Sequence, residues 1–333
     1  MSPFADIVCD TFTTMTIDGN HLTILSSEDL SFNFGDANLE QVRFEVINGG
    51  ELTFEPNARF VGTVGEEDDL PGVDGGALFI GTGSRVRFLN DFMTQNVGVR
   101  SIVDDGDFAS VQLVGGCIWT DGYFRVAGEA IFDNCENSGG GESSPGPGGA
   151  LWVGENAVVV FQDTLEIKDV SIIDDEGNNG AGFYNLGRVI VKGDSIFENL
   201  SAETAGAIFN GESATFKFKD GATAVFNDCR AFDGIAGSIF NAGEFKFSGA
   251  ALFFNGNSPD RGGAIVVGET GEMILAEDTV FFNNPSDDPI GAPVFVVAGG
   301  SLTPANNMIF VNNADDDAVC DAIYFEADDE CVR

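Results

Sequence analysis

"GAIFNGESATFKFKDGATAVFNDC" occupies Gly206–Cys229, and the chain starts the same pattern again at Gly237 with "GSIFNAGEFKFSGAALFFNGN". Each segment opens on small residues and a short apolar run, crosses two more apolar stretches separated by polar or Gly-containing breaks, and reaches a phenylalanine followed by Asn or Asp. Self-similarity at this spacing is the mark of a repeat architecture. Aligning the small opening residue places the units at Gly76, Gly116, Gly149, Ala181, Gly206, Gly237, Gly263, Ala292 and Asp321. Two positions later every unit carries an apolar residue, from Leu78 to Ile323. The next position is aromatic in all units but one: Phe79, Trp119, Trp152, Tyr184, Phe209, Phe240, Phe295 and Tyr324, with Val266 the exception.

A second landmark closes the units, an apolar residue followed two positions on by Asn or Asp. The pairs are Phe132/Asn134, Ile167/Asp169, Phe197/Asn199, Phe226/Asp228, Phe253/Asn255, Phe281/Asn283 and Phe310/Asn312. Between the landmarks lies another β-prone run, such as "YFRV" at Tyr123 or "FKF" at Phe216. Short runs rich in Val, Ile and Phe, bounded by Gly, Asn and Asp, are strands. The spacing therefore predicts an all-β, right-handed parallel β-helix with three short strands per coil and about a dozen coils. Such a coil cannot bury its apolar face alone and is stable only when stacked. Residues 75–333 are expected to form the regular repeats and a C-terminal cap. Residues 1–74 are expected to form irregular leading coils of the same continuous solenoid.

Stacking lays like residues over like. The Asx landmarks Asn134, Asn199, Asn255, Asn283 and Asn312 are expected to form a ladder of side-chain hydrogen bonds from coil to coil. Asn185, Asn210 and Asn241 recur at a second equivalent position and predict a shorter ladder. Small residues at the unit openings suit a corner where a larger side chain would clash.

At these residues the chain resembles a known family. "GGAL" at Gly75 and at Gly148, "GAIFN" at Gly206 and "GGAI" at Gly262 resemble one repeat motif of polymorphic outer membrane proteins. "FFNN" at Phe281 and "FVNN" at Phe310, a Phe followed three residues later by Asn, are similar to the other. The resemblance implies a surface-exposed, pectin-lyase-like right-handed β-helix used in adhesion. The autotransporter barrel that carries such repeats in that family is not expected within these 333 residues.

Composition adds charge. The chain has 54 acidic and 15 basic residues, a net charge of −39. Such a surface repels nucleic acid and anionic membrane. The acids cluster in the variable turns before the unit openings: "GEEDDLPGVD" at Gly65, "VDDGD" at Val103, "IDDEGNN" at Ile173, "PSDDP" at Pro285 and "NADDDAV" at Asn313. Stacking would align them along one edge. That edge is either a solvated surface or a calcium-binding ridge, for which Asp287, Asp288, Asp315 and Asp316 are the candidate ligands.

Six cysteines are too few to define the fold. Cys320 and Cys331 are spaced to staple the C-terminal unit. Cys135 and Cys229 share a repeat position but lie three coils apart, ~14 Å by strand spacing and too far to bond. Cys117 replaces a small residue and reads as a buried thiol; Cys9 has no evident partner. The start "MSPFADIVCD" has no basic stretch or long apolar run, so no secretion signal is visible there, and no apolar run is long enough to span a bilayer.

Catalytic constellations are sparse. His21 is the sole histidine. Lys217, Lys219 and Lys246 alternate with apolar residues and read as solvent-facing. Arg125, Arg188 and Arg230 are the candidates for a lyase-type cation, and carboxylate pairs such as Asp104/Asp105 and Asp174/Asp175 are too plentiful to discriminate. The reading is a non-catalytic extracellular or cell-surface solenoid with a structural or adhesive role. Its expected partner is a glycan or protein of a cell surface or matrix, with divalent cations along the acidic edge. The alternative is a lyase, hydrolase or epimerase acting on acidic glycans.

The acidic edge makes a measurable demand. Carboxylates ~5 Å apart repel by roughly 1–3 kcal/mol per pair at an effective dielectric of ~20–80. Millimolar calcium is expected to raise the melting temperature more than sodium chloride at matched ionic strength. Asp315→Asn with Asp316→Asn is expected to remove much of that difference. Equal effects of the two salts would make the ridge a solvated surface only.

Overall fold

The computed structural model describes residues 5–9, 13–34, 42–62, 76–101, 115–139, 147–173, 179–287, 290, 292–313, 320–327 and 329–332. Within them each full coil lays down three strands in order. They belong to what we term the opening, middle and closing sheets, as in Ile208–Asn210, Thr215–Phe218 and Ala224–Ala231. The last unit has only an opening strand, Ile323–Phe325, covered by the antiparallel strand Glu330–Val332. The opening sheet runs through twelve strands, the middle sheet through ten, and the closing sheet through eleven in series with two short strands alongside. Every pairing between coils is parallel, and Ile208 sits in register with Phe183 on one side and Ile239 on the other. At ~4.8 Å per strand the closing sheet alone makes a rod roughly 48 Å long. The solenoid predicted from the repeat is the fold.

Alternation sets the core. In an opening strand the first and third residues point inward. In a middle strand it is the second and fourth, and in a closing strand the first and third. The inward phenylalanines stack at strand spacing. Phe216 lies 5.0 Å from Phe245 and Phe218 lies 4.7 Å from Phe247. Phe226, Phe253, Phe281 and Phe310 form a continuous pile with ring planes within 7° of one another. All but Phe310, in the last closing strand, are fully buried.

The opening corner needs small residues for a steric reason. A Cβ on Gly206 would collide with the carbonyl oxygen of Gly237 in the next coil and with the backbone of Arg230. The residues before Gly75, irregular in turn length, still place their strands in the same three sheets. Phe44 pairs with Leu78, Leu52 with Val86 and Ala58 with Phe92, so the solenoid continues through them without a break.

The two asparagine columns differ in kind. Asn185, Asn210 and Asn241 are fully buried. Asn185 Nδ2 donates to Asn210 Oδ1 and Asn210 Nδ2 donates to Asn241 Oδ1, both at 2.7 Å. Their remaining capacity is used on the backbone, at Thr215, Glu244, Glu272, Gly187 and Gly243. The landmark column adopts a left-handed backbone. Asn134, Asp169, Asn199, Asp228, Asn255, Asn283 and Asn312 all have φ between 52° and 56°. Asn and Asp tolerate that region best among residues with a side chain.

The ladder expected on the landmark column is present but interrupted. Asn134 donates to Asn96 (2.9 Å), Asn199 to Asp169 (2.7 Å) and Asn283 to Asn255 (2.9 Å). The donor always reaches back to the preceding coil. A carboxylate has no proton to send that way, so the chain of bonds breaks at Asp169 and at Asp228 and restarts only at Asp169, which accepts from Asn199. Asn255 donates instead to Asn227, at 3.2 Å.

A third ladder lies one residue further on. Asn284 and Asn313, the asparagines three residues beyond Phe281 and Phe310, are buried. Asn313 Oδ1 accepts from both the backbone and side-chain N–H of Asn284. Their amides donate to the carbonyls of Phe253 and Phe281.

These contrasts separate two roles by mutation. Asn210→Leu leaves buried partners short of bonds and is expected to cost about 2–4 kcal/mol. Asn283→Leu, at an exposed position, is expected to cost about 1–2 kcal/mol because leucine resists the left-handed backbone. Asn283→Gly is expected to be nearly neutral by chemical denaturation. Equal losses for the Gly and Leu variants would assign the effect to the amide rather than to φ.

Candidate functional site

Outward positions on a middle strand are the first and third residues. Strand pairing aligns them into two columns. The first column reads His21, Glu51, Arg85, Tyr123, Val158, Arg188, Thr215, Glu244, Glu272, Ser301. The third-position column runs beside it: Thr53, Arg87, Arg125, Val160, Ile190, Lys217, Lys246. Six cations, Arg85, Arg87, Arg125, Arg188, Lys217 and Lys246, therefore project from one face. Lys192 and Lys219 follow in the adjoining turns. These eight are over half of the chain's 15 Lys and Arg. A molecule of net charge −39 carries over half of its Lys and Arg on one of three sides, where Glu51, Glu244 and Glu272 stand among them.

The cations fall into two groups. In the first, His21 Nδ1 lies 3.0 Å from Glu51 Oε2, and Arg85 Nη1 lies 3.4 Å from Glu51 Oε1. Arg125 donates through Nη2 to Gln162 Oε1 at 2.6 Å, while its buried Nε has no hydrogen-bond partner. Tyr123 stands one coil from Arg85, between that arginine and Val158. In the second group Lys217 Nζ pairs with Glu244 Oε1 at 2.7 Å. Strand spacing separates neighbours within a column by ~4.8 Å and the two columns by ~7 Å. Such a face offers several cations at once to an extended anion.

Arg125 and Arg188, two of the lyase-type cations expected from the sequence, both stand on this face. The register joins His21, Glu51 and Arg85 in one contact group. Arg230, the third candidate, lies on the closing sheet. Pairing residues by column, rather than reading each strand alone, is the signal that reveals the face.

The candidate cation ligands stand differently. Asp287 is exposed, and its backbone N–H donates to Ser258 O. Asp288, Asp315 and Asp316 lie outside the described residues. Among the described residues no group of three or more His, Cys, Asp and Glu side chains is placed to hold a metal ion. Carboxylates do crowd elsewhere. In the turns before the closing strands, Glu129 N–H donates to Asp91 Oδ1 at 3.0 Å. Desolvation, then the charges of Asp91, Glu166 and Asp163, push the Glu129 carboxyl above its usual range.

The half-buried aromatics of the opening sheet are structural. Phe79, Trp119 and Trp152 stack at 4.3 and 5.0 Å with planes within 5°. Tyr184, Phe209 and Phe240 repeat the pile at 4.9 and 5.0 Å. Their faces cover one another, so only ring edges meet solvent along most of the pile.

The cysteines bring one confirmation and one correction. Cys320 and Cys331 form the expected disulfide. Cys117, read as a buried thiol, is instead bonded to Cys135. The reason is repeat geometry: the second small residue of the opening faces the residue after the left-handed Asx of the same coil. A Cβ added to Gly182, the counterpart of Cys117, would accordingly lie 3.5 Å from the side chain of Leu200, the counterpart of Cys135. Cys229 occupies the same position as Cys135, but Ala207 stands at the Cys117 position of its coil, so its thiol is buried and free. Burial drives the Cys229 pKa upward and keeps the sulphur protonated. The side chain of Cys9 lies outside the described residues.

Comparisons with family models, curated proteins and solved structures find no significant match, so the tetrapeptide resemblance rests on the residues themselves. No helix among the described residues is long and apolar enough to cross a membrane.

Peptide mapping without reductant is expected to recover Cys117 linked to Cys135, Cys320 linked to Cys331, and Cys229 free. Replacing Cys117 and Cys135 by alanine is expected to cost ~3 kcal/mol, the loop-closure value for an 18-residue separation. Recovery of Cys117 as a free thiol would overturn the assignment.

Proposed function

We propose that this chain is a non-catalytic extracellular or cell-surface β-solenoid with a structural and adhesive role, whose middle sheet is the contact face for acidic glycans. The observation that carries this reading is the gathering of Arg85, Arg87, Arg125, Arg188, Lys217 and Lys246 on one flat side of an acidic rod. A linear polyanion laid along the axis would meet a cation at several successive coils. The acidic remainder of the surface would orient it onto that side and repel it from the others. Two disulfides support an oxidising compartment, outside the cytosol. The Asp287-bearing edge would add calcium-dependent stiffness to the same rod.

One observation favours a second reading, a polysaccharide lyase or epimerase. His21, Glu51, Arg85 and Tyr123 stand in one column with Arg87 and Arg125 beside them. That set contains a base, a carboxylate, cations to hold a uronate and a phenol to pass a proton. Its members lie on an open sheet face, which favours holding a polymer over reacting with it.

Both readings are tested by one experiment. Uronate-rich, sulfated and neutral polysaccharides are immobilised, and the intact chain is passed over each with and without calcium. Retention is expected on the anionic polymers, falling as salt rises. Arg87→Gln with Arg125→Gln is expected to weaken it roughly tenfold, the equivalent of about 1.4 kcal/mol. Equal retention on neutral polymer, or an unchanged double variant, would remove the adhesive face. Shortened polymer or an unsaturated uronate product would replace it with the enzymatic reading.

A further inference from the structure

The closing sheet presents a different surface. Its outward residues are the second and fourth of each strand. Through the N-terminal half they are mixed: Arg59, Met93 and Gln95, Asp133, Glu166 and Lys168. The character then changes. Ile196, Val225, Leu252, Val280 and Ile309 align in one column over five coils. Phe254, Phe282 and Val311 align in the other over three. Ile309 is 54% exposed, Ile196 and Phe282 39% and Val311 38%. These eight side chains make a strip roughly 19 Å long without a charge in it. Soluble surfaces rarely leave contiguous apolar area of this kind uncovered unless something binds there.

The rims say what binds. Where the strip is two columns wide, Glu277 and Asp278 stand exposed at one edge and Asp287 at the other. A depression of about 500 Å³ joins the strip to the first rim, lined by Asp278, Val280, Asn306, Asn307, Met308 and Ile309. Asn307 Nδ2 donates to Asp278 Oδ1 at 2.8 Å, which holds that carboxylate at the lip. Arg261, the cation on the opposite side, is already engaged, lying over the Phe295 ring and 3.3 Å from Glu326.

We propose that this strip docks a basic amphipathic helix of another polypeptide, with an apolar stripe on the two columns and Lys or Arg side chains on Glu277 and Asp278. A helix of about 13 residues matches the strip's length at 1.5 Å per residue. Charge complementarity selects it. A second copy of this chain would bring another −39 and its own acidic rims, and an anionic lipid surface would be repelled in the same way. The strip lies on a different side from the cationic face of the middle sheet, so the two assignments stand independently.

The test uses the intact chain and three labelled synthetic 18-residue peptides in fluorescence anisotropy. One is a Leu/Lys amphipathic helix, one has the same composition scrambled out of helical register, and one is a Leu/Glu helix. The Leu/Lys helix is expected to bind at least tenfold tighter than either control. Phe282→Thr with Ile309→Thr is expected to weaken it tenfold or more, because threonine keeps the strand propensity while removing the apolar contact. Glu277→Gln with Asp278→Asn is expected to weaken it several-fold and flatten its salt dependence. Hydrogen exchange of the wild-type chain is expected to gain protection at 252–254, 280–282 and 308–311 with the peptide bound. This readout does not depend on any variant folding. Equal binding of the scrambled peptide, indifference to the strip variants, or protection elsewhere would overturn the proposal. So would a concentration-dependent dimer in sedimentation that the strip variants abolish, since it would assign the surface to a second copy.

Discussion

Parallel pairing in strict register is the constraint from which the rest follows. Each coil hydrogen-bonds to the next at the same position, so a side chain's nearest neighbour is its counterpart one repeat away. A column therefore has to tolerate its own chemistry repeated. Phenylalanine does so by stacking at the strand spacing, as Phe226 to Phe310 do. Buried asparagine does so because an amide both donates and accepts, as in Asn185, Asn210 and Asn241. Carboxylates tolerate repetition poorly: after desolvation, the charges of Asp91, Glu166 and Asp163 add to the upward shift of the Glu129 carboxyl.

The fold was legible because this constraint writes itself into the sequence. The opening motif and the Asx landmark recur in each coil because the same corner recurs. The landmark's deeper cause was not legible. An Asn column reads as a ladder, yet the common property of Asn134 through Asn312 is φ near 54°, which Asp169 and Asp228 share without completing the bonds. The Cys117–Cys135 bridge was hidden for a related reason. Each cysteine was read within its own column, whereas the bond crosses between two columns of one coil. The candidate site was less legible still. Arg85 and Arg125 look scattered along the chain, and only the register sets them one coil apart. The residues proposed for a calcium ridge fall largely in the variable turns, where no repeat constrains the reading.

Function in such a molecule is a property of faces. The three sheets share one interior and differ outside. The opening sheet turns ring edges outward, the middle sheet gathers cations, and the closing sheet turns apolar from Ile196 in one column and after Asn227 in both. Since outward residues contribute little to the core, each face is free to vary independently of the fold. A solenoid can thus carry separate contacts on separate sides while every coil keeps the same packing.

The outer aromatic pile has a consequence for how the molecule would be observed. Trp119 and Trp152 are the chain's only two tryptophans, and they stack at 5.0 Å in adjacent coils. Their transition dipoles are coupled to each other and to one locality of the rod. Tryptophan emission therefore senses a single pair of coils. Repeat arrays unfold with nearest-neighbour cooperativity and can fray from an end. Loss of the C-terminal coils could leave tryptophan emission unchanged while circular dichroism falls. Divergence between those two signals would measure how far cooperativity extends along the stack.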